Sequence, residues 1–285
     1  MISLKSTWEE RASQCTERWH LSALRWREHN GTAKIAFCES PFGKAVLKVS
    51  NEAGMVGYEA KALDHFGTEI CPAVFALAED LESILLEEVD AVGDLSDWYP
   101  DAEREVETWI PFFWAVEGNK VVPDGFPTLS KYAEVFDRAL ENHLPSELKS
   151  LMVIGDRQRG ILTAPEGQNR LLHGDMHHFN LLKGKTDSWR LIDPHGVVGH
   201  PYYELGAFLR NPWGACYTEP GVKERLDKRV YLLAEKLGIT PCEVAKYGFY
   251  GAAFSIAWSI EDGSDDLEGM IVMANTCLTF IGESF

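Results

Sequence analysis

The run from Leu171 to His200, LLHGDMHHFNLLKGKTDSWRLIDPHGVVGH, most constrains how this chain can fold. Leu181-Leu182 and Trp189-Arg190-Leu191-Ile192 are short apolar segments, separated by the polar, Gly-containing turn Lys183-Gly184-Lys185-Thr186-Asp187. That pattern predicts the two strands of an antiparallel hairpin. A hairpin brings its open ends together. Asn180, which enters the first strand, and Asp193, which leaves the second, are therefore expected to face one small space. Asp175 lies in the same polar loop as Asn180, within His173-Gly174-Asp175.

An amide oxygen and a carboxylate delivered in this way are hard oxygen ligands, the kind Mg2+ takes beside the phosphates of ATP. A His-x-Asp-x-x-x-x-Asn loop followed by a second Asp after the hairpin has the spacing that phosphoryl transfer from Mg-ATP to a hydroxyl requires. Asp175 is then the expected base that orients the accepting hydroxyl, and Asn180 and Asp193 are the expected metal ligands. His173 precedes Asp175 at the position where kinase-like loops often carry a His or Tyr that packs and hydrogen-bonds the loop. A His-Gly-Asp turn alone would signify only a polar loop; the number of matched positions favours the chemical reading.

Upstream, Ala33 to Cys38 and Lys44 to Val49 read as two strands joined at Ser40-Pro41-Phe42-Gly43, followed by a helix from about Asn51 to Phe66. Ala73 to Leu77 and Ser83 to Val89 read as two more strands, which makes a small antiparallel sheet with one helix. After Ala91-Val92-Gly93 the pattern becomes mostly helical, with helices expected from Leu95 onward, over Thr128 to His143 and over Glu147 to Arg159. The expected division is a nucleotide-binding lobe over residues 1–90 and a catalytic and substrate-binding lobe over 91–285.

Lys48 ends the apolar run Ala45-Val46-Leu47, and Glu59 falls on the predicted helix between Tyr58 and Ala60. A strand Lys fixed by a helix Glu is how kinases hold the α and β phosphates of ATP. An edge-strand Lys pointing to water is the plain alternative, made less attractive by the Asp175 loop downstream. Asn30-Gly31-Thr32-Ala33-Lys34 supplies a single Gly for a phosphate-covering loop, in which Thr32 can contact phosphate. No GxxxxGK[ST] loop is present. Glu87-Glu88-Val89 sits where a connector would offer backbone groups to adenine, and Glu87 and Val89 are assigned there by position alone.

The net charge of −17 and the lack of clustered Lys and Arg argue against a nucleic-acid partner. The same charge would attract a cationic small molecule, although a solubilising acidic surface explains much of it. Six scattered cysteines without a CxxC pair suggest free thiols. The N-terminal segment has no signal-like apolar core, and the longest apolar run, near Gly251 to Ile260, is too short for a bilayer. A cytoplasmic protein without a membrane partner is expected; the oligomeric state is not encoded in any of these features.

These motifs resemble the aminoglycoside phosphotransferase superfamily, and within it the streptomycin 6-phosphotransferase and hydroxyurea resistance kinase family. Leu172-His173-Gly174-Asp175-Met176-His177-His178-Phe179-Asn180 is similar to that family's LHGDLHxxN, and Trp189 to Gly199 to its W-hydrophobic-IDPxGxVG. Tyr203-Glu204-Leu205-Gly206, Leu209-Arg210-Asn211-Pro212 and Ala257-Trp258-Ser259-Ile260-Glu261-Asp262-Gly263 echo its later blocks. The resemblance implies an α+β, bilobal protein-kinase-like fold with a small antiparallel-sheet N-lobe and a mostly helical C-lobe. It also implies ATP and Mg2+ as cofactors and transfer of the γ-phosphoryl group to a small-molecule hydroxyl. A streptomycin-like aminoglycoside comes first as acceptor, with antibiotic resistance by modification. Glu204 stands where the family usually has Asp, and His195 where a small or aliphatic residue or Lys is more usual.

Glu261, Asp262, Asp265, Asp266 and Glu268 form an acidic cluster. With Trp258 preceding them on one helix, Glu261 and Asp262 are the expected side of a pocket for a guanidinium or amine; a solvated, helix-capping turn is the alternative. A metal-dependent hydrolase is a rival, because His173, Asp175, His177, His178, Asp193, His195 and His200 are dense in ligand atoms. It leaves Lys48, Glu59 and Asn180 without a role. A protein that holds nucleotide without transferring phosphate is a second rival, opposed by the intact Asp175, Asn180 and Asp193. A kinase of another small metabolite alcohol is a third alternative.

Overall fold

The computed structural model describes residues 6–28, 33–186, 188–212, 221–264 and 267–282. The chain divides into two compact units, Met1–Val92 with Leu182–Gly196, and Gly93–Leu181 with Val197–Phe285. A single break near residue 91 is thus joined by two others, because the hairpin segment belongs with the first unit. Backbone and ionic contacts explain why: Leu191 donates to the Ile70 carbonyl at 2.7 Å, Arg190 to the Glu69 carbonyl at 2.8 Å, and Lys185 pairs with Asp90 at 2.5 Å.

In the first unit, helix α1 (Trp8–Arg18) starts at a capping box in which Thr7 and Glu10 exchange side-chain and backbone hydrogen bonds. Strands β1 (Ser22–Trp26), β2 (Ala33–Ser40), β3 (Gly43–Ser50), β4 (Val74–Ala78) and β5 (Ser83–Glu87) form one five-stranded sheet in the order β1-β2-β3-β5-β4. All its pairings are antiparallel. Side chains alternate across a strand, and the sheet uses both faces. Ala36, Cys38, Ala45, Leu47, Val49 and Leu85 pack in a core with Ala12 and Cys15 of α1. Ile35, Phe37, Val46, Lys48 and Leu86 line a cavity.

Arg11 of α1 is almost fully buried and donates to the carbonyls of Ser50 at 2.5 Å and Leu81 at 3.2 Å and to Asn51 Oδ1 at 3.0 Å. A buried guanidinium satisfied in this way ties α1 to both ends of the sheet's central connections. Helix α2 (Met55–Phe66) begins four residues later than Asn51, the start read from the sequence. Gly54 adopts φ +82° there and donates its amide to Glu82 Oε1 at 2.7 Å, which holds the preceding residues in a turn. Strands β6 (Ala91–Asp94), β8 (Leu181–Gly184) and β9 (Trp189–Leu191) form a three-stranded sheet in the order β6-β8-β9, so the predicted hairpin is present.

The second unit is mostly helical: α3 (Ala102–Gly118), α4 (Leu129–Tyr132), α5 (Glu134–Leu140), α6 (Ser146–Gln158), α7 (Glu204–Leu209), α8 (Val222–Leu237), α9 (Pro241–Asp262) and α10 (Glu268–Ile281). Strands β7 (Arg170–Leu172) and β10 (Val197–Gly199) pair antiparallel beside them. The helix expected over Thr128 to His143 is two short helices that meet at Ala133. α9 is buried along most of its length and packs against α5, α7, α8 and α10. Among the described residues no helix is long and apolar enough to cross a membrane. Cys15, Cys38, Cys71 and Cys277 are buried free thiols, and Cys216 lies outside the described residues.

Candidate active site

The cavity of the first unit has a volume of about 290 Å3. Ile35, Phe37, Val46, Leu86, Leu182 and Ile192 give it apolar walls, and its charged lining includes Lys48, Glu59 and Asp193. Pairing of β3 between β2 and β5 sets Lys48 opposite Ile35 and Ile84, so the ammonium emerges from an apolar floor. Its Nζ lies 2.8 Å from Glu59 Oε2 and is also ion-paired with Asp193. Burial works against the Lys48 charge, but the two carboxylates outweigh it and raise the ammonium's pKa, so Lys48 is a fixed cation. Burial pushes Glu59 up to about 6, with Lys48 opposing the shift and Asp193 adding to it.

Asp193 has φ +61°, a left-handed conformation uncommon for a residue with a side chain. Such strain costs on the order of 1 kcal/mol and collects where a side chain must be aimed. Glu87 and Val89 also line this cavity. Glu87 is tied to the start of β4, since its amide donates to the Ala73 carbonyl at 2.9 Å and its carboxylate accepts the Ala73 amide at 3.1 Å. The Val89 carbonyl accepts from the Ala91 amide at 2.7 Å. Thr32, with Asn30 and Gly31, lies outside the described residues.

Asp175 and Asn180 belong to the second unit, in the loop that follows β7. Gly174 turns the chain with φ +85° and donates its amide to Glu204 Oε1 at 3.0 Å. His173 is fully buried, and its Nδ1 accepts the Asp175 amide at 3.2 Å, the packing role its position suggested. Asn180 Nδ2 donates to the Asp175 carbonyl at 2.9 Å and lies 3.4 Å from Asp175 Oδ2. The Asp175 carboxylate also meets His177 Nε2 at 3.2 Å and is ion-paired with Arg210. Trp109 Nε1 donates to the Met176 carbonyl at 2.9 Å, which pins the far side of the loop to α3.

Two partners of this loop were not read from the sequence. Arg210 belongs to the Leu209-Arg210-Asn211-Pro212 block, but nothing local announces that it reaches a loop 35 positions away. Glu204 fulfils a structural role despite its extra methylene, because its carboxylate accepts the Gly174 amide. Burial pushes Glu204 up to about 7, opposed by that amide and reinforced by the Asp175 charge. Beneath the loop, His178 stacks on Phe208 and sits within 3.6 Å of Glu105, which holds Arg229 at 2.8 Å. Burial lowers His178 to about 4, so it is neutral near pH 7.

The residues expected at an acceptor side lie at the end of α9. Trp258 stacks on Phe254 with centroids 5.2 Å apart and meets Tyr132 edge-on. Glu261 and Asp262 are both exposed, and Glu261 is ion-paired with Arg138, so its charge already has a partner. Asp265 and Asp266 lie outside the described residues. Among the described residues no group of three or more His, Cys, Asp or Glu is placed to hold a metal ion. Magnesium beside a nucleotide makes a smaller demand, usually one or two carboxylates with waters and phosphates.

Residues 18–263 match the family described as aminoglycoside/hydroxyurea antibiotic resistance kinase. Streptomycin 6-kinase of Streptomyces griseus is 30% identical over 270 residues, which span 88% of this chain and 82% of that protein. Streptomycin 6-kinase of Streptomyces glaucescens is 31% identical over 103 residues, a match that spans only 34% of that protein. The crystal structure of aminoglycoside phosphotransferase APH(4)-Ia superposes with a TM-score of 0.68, covering 97% of this chain and 99% of that one at 16% identity. That likeness shows the fold: a kinase-like antiparallel-sheet lobe and a helical lobe.

Proposed function

The chain belongs to the aminoglycoside/hydroxyurea antibiotic resistance kinase family, and from this premise we propose that it transfers the γ-phosphoryl group of ATP to a hydroxyl of a small molecule. A streptomycin-like aminocyclitol is the first acceptor to consider, following the relative from Streptomyces griseus. The observation that carries the reading is Lys48, held by ion pairs to Glu59 and Asp193 in the lining of the first unit's cavity, which also has apolar walls.

Bound Mg-ATP would supply the phosphoryl group and a cation that screens its charge. The apolar walls suit a planar base, with Glu87 and Val89 on its connector side. The Lys48 ammonium, oriented by Glu59, suits the phosphates. Asp193 and Asn180 would each offer an oxygen donor to magnesium, and Asp175 would take the proton of the acceptor hydroxyl. Trp258 and Asp262 are the acceptor side, with Glu261 available to a cation only by exchange with Arg138. A cytoplasmic setting, where ATP is at hand, and antibiotic resistance by modification complete the reading.

The Arg138–Glu261 pair favours a second reading, an acceptor with little or no positive charge, because it removes one carboxylate from the expected cation side. A coupled ADP-release assay with Mg-ATP across aminoglycosides, hydroxyurea and small metabolite alcohols distinguishes the two. Acceptor-dependent ADP release with streptomycin is the expected result. Release with uncharged alcohols alone would select the second reading, and none with any acceptor would contradict both.

A further inference from the structure

Resting on that reading, we infer that Arg210 is a positioning residue for Asp175, set in place by a backbone-to-backbone crossing of α7 and α9. Arg210 immediately follows α7. One arm of its guanidinium is ion-paired with Asp175 Oδ1 and the other donates to Ser255 Oγ on α9. The Ser255 hydroxyl donates to the Gly251 carbonyl at 3.0 Å, which leaves its oxygen lone pairs to accept from Arg210. A planar fork with both arms engaged fixes direction as well as charge, which a flexible ammonium does not.

The crossing explains why the fork reaches both partners. A Cβ on Gly206 would lie 2.8 Å from the Gly251 Cα, and one on Gly251 would lie 2.6 Å from the Gly206 Cα. The two helices therefore touch through their main chains. Arg210 follows Gly206, and Ser255 follows Gly251, by one helical turn, and residues so spaced share a helix face. The face that makes the crossing is thus the face that carries Arg210 and Ser255. His177 Nε2 at 3.2 Å and Asn180 Nδ2 at 3.4 Å meet the other carboxylate oxygen, Oδ2. Arg210 on Oδ1, with these two on Oδ2, fixes the plane of the carboxylate.

Steady-state kinetics on the full chain, with the acceptor found by ADP release, test the inference. Arg210→Ala is expected to lower kcat by about ten- to a hundredfold while KM for ATP stays within about twofold, the pattern of lost positioning in the chemical step. Millimolar guanidinium is expected to restore part of that kcat, and none to Asp175→Ala. Arg210→Lys, with one donor in place of the fork, is expected to fall between Arg210→Ala and the wild type. An Arg210→Ala protein that melts like the wild type and keeps its kcat overturns the inference. So does a kcat loss that neither guanidinium nor Arg210→Lys relieves. Should Arg210→Ala not fold, Ser255→Ala decides: a reduced kcat with unchanged KM for ATP supports the inference, and wild-type kcat overturns it. A wild-type chain with no acceptor-dependent turnover overturns the underlying reading, and the inference with it.

Discussion

Glu204 is fully buried, and its carboxylate accepts the Gly174 amide at 3.0 Å in the turn that precedes Asp175. Burial raises its pKa from 4.5 to about 7. Between those values the folded chain keeps a proton that the unfolded chain has released. This contribution to stability is complete below pH 4.5, shrinks as pH rises and is lost above about 7. Glu204→Gln keeps an acceptor for Gly174 but cannot titrate. Calorimetric melting from pH 5 upward is expected to show Tm of the wild type falling relative to that of Glu204→Gln, the gap widening to about pH 7; parallel curves would contradict the assignment. At this scale the sequence singles out Asp175, Asn180, Asp193, Lys48 and Glu59 as candidates, because each lies in a motif whose spacing has chemical meaning. It does not show Arg210 or Ser255 as partners, because their contacts span 35 and 45 positions and depend on how two helices cross.

At the scale of elements, α7 and α9 meet through the main chains of Gly206 and Gly251. Ala in place of Gly inside a helix ordinarily stabilises by about 1 kcal/mol. Here the added methyl would meet the Gly206 main chain at 2.6 Å, which a backbone can relieve only by moving the helix. Gly251→Ala is therefore expected to destabilise the chain by roughly 1–3 kcal/mol, as overpacking does, seen as a lower urea midpoint. A midpoint at or above the wild-type value would show that the helices have room. The strands β2, β3, β8 and β9 are legible because each is a short apolar run bounded by turn residues. Helix α1 was not read, although Thr7-Trp8-Glu9-Glu10 is a capping-box pattern. The later start of α2 depends on Gly54 meeting Glu82, a contact across 28 positions that no local pattern reveals.

For the whole molecule, the sequence and the structure agree on a sheet-bearing unit and a helical unit, but the chain passes between them more than once. The hairpin 182–196 joins the first unit and brings Asp193 to Lys48, which is why the ion pair spans 145 positions. Residue spacing suggested that Asp193 matters; only the fold shows that Lys48 is its partner. The net charge of −17, visible from composition alone, fits a cationic acceptor but selects none. The central claim is that the γ-phosphoryl group passes from ATP to an acceptor hydroxyl, whose proton Asp175 takes. Mass spectrometry of the acceptor after incubation with Mg-ATP tests it most directly. The wild type is expected to add one phosphoryl group. Asp175→Ala, still binding ATP by thermal shift, is expected to add it about two to four orders of magnitude more slowly. An acceptor phosphorylated equally fast by both proteins, or left unmodified by the wild type, would contradict the account.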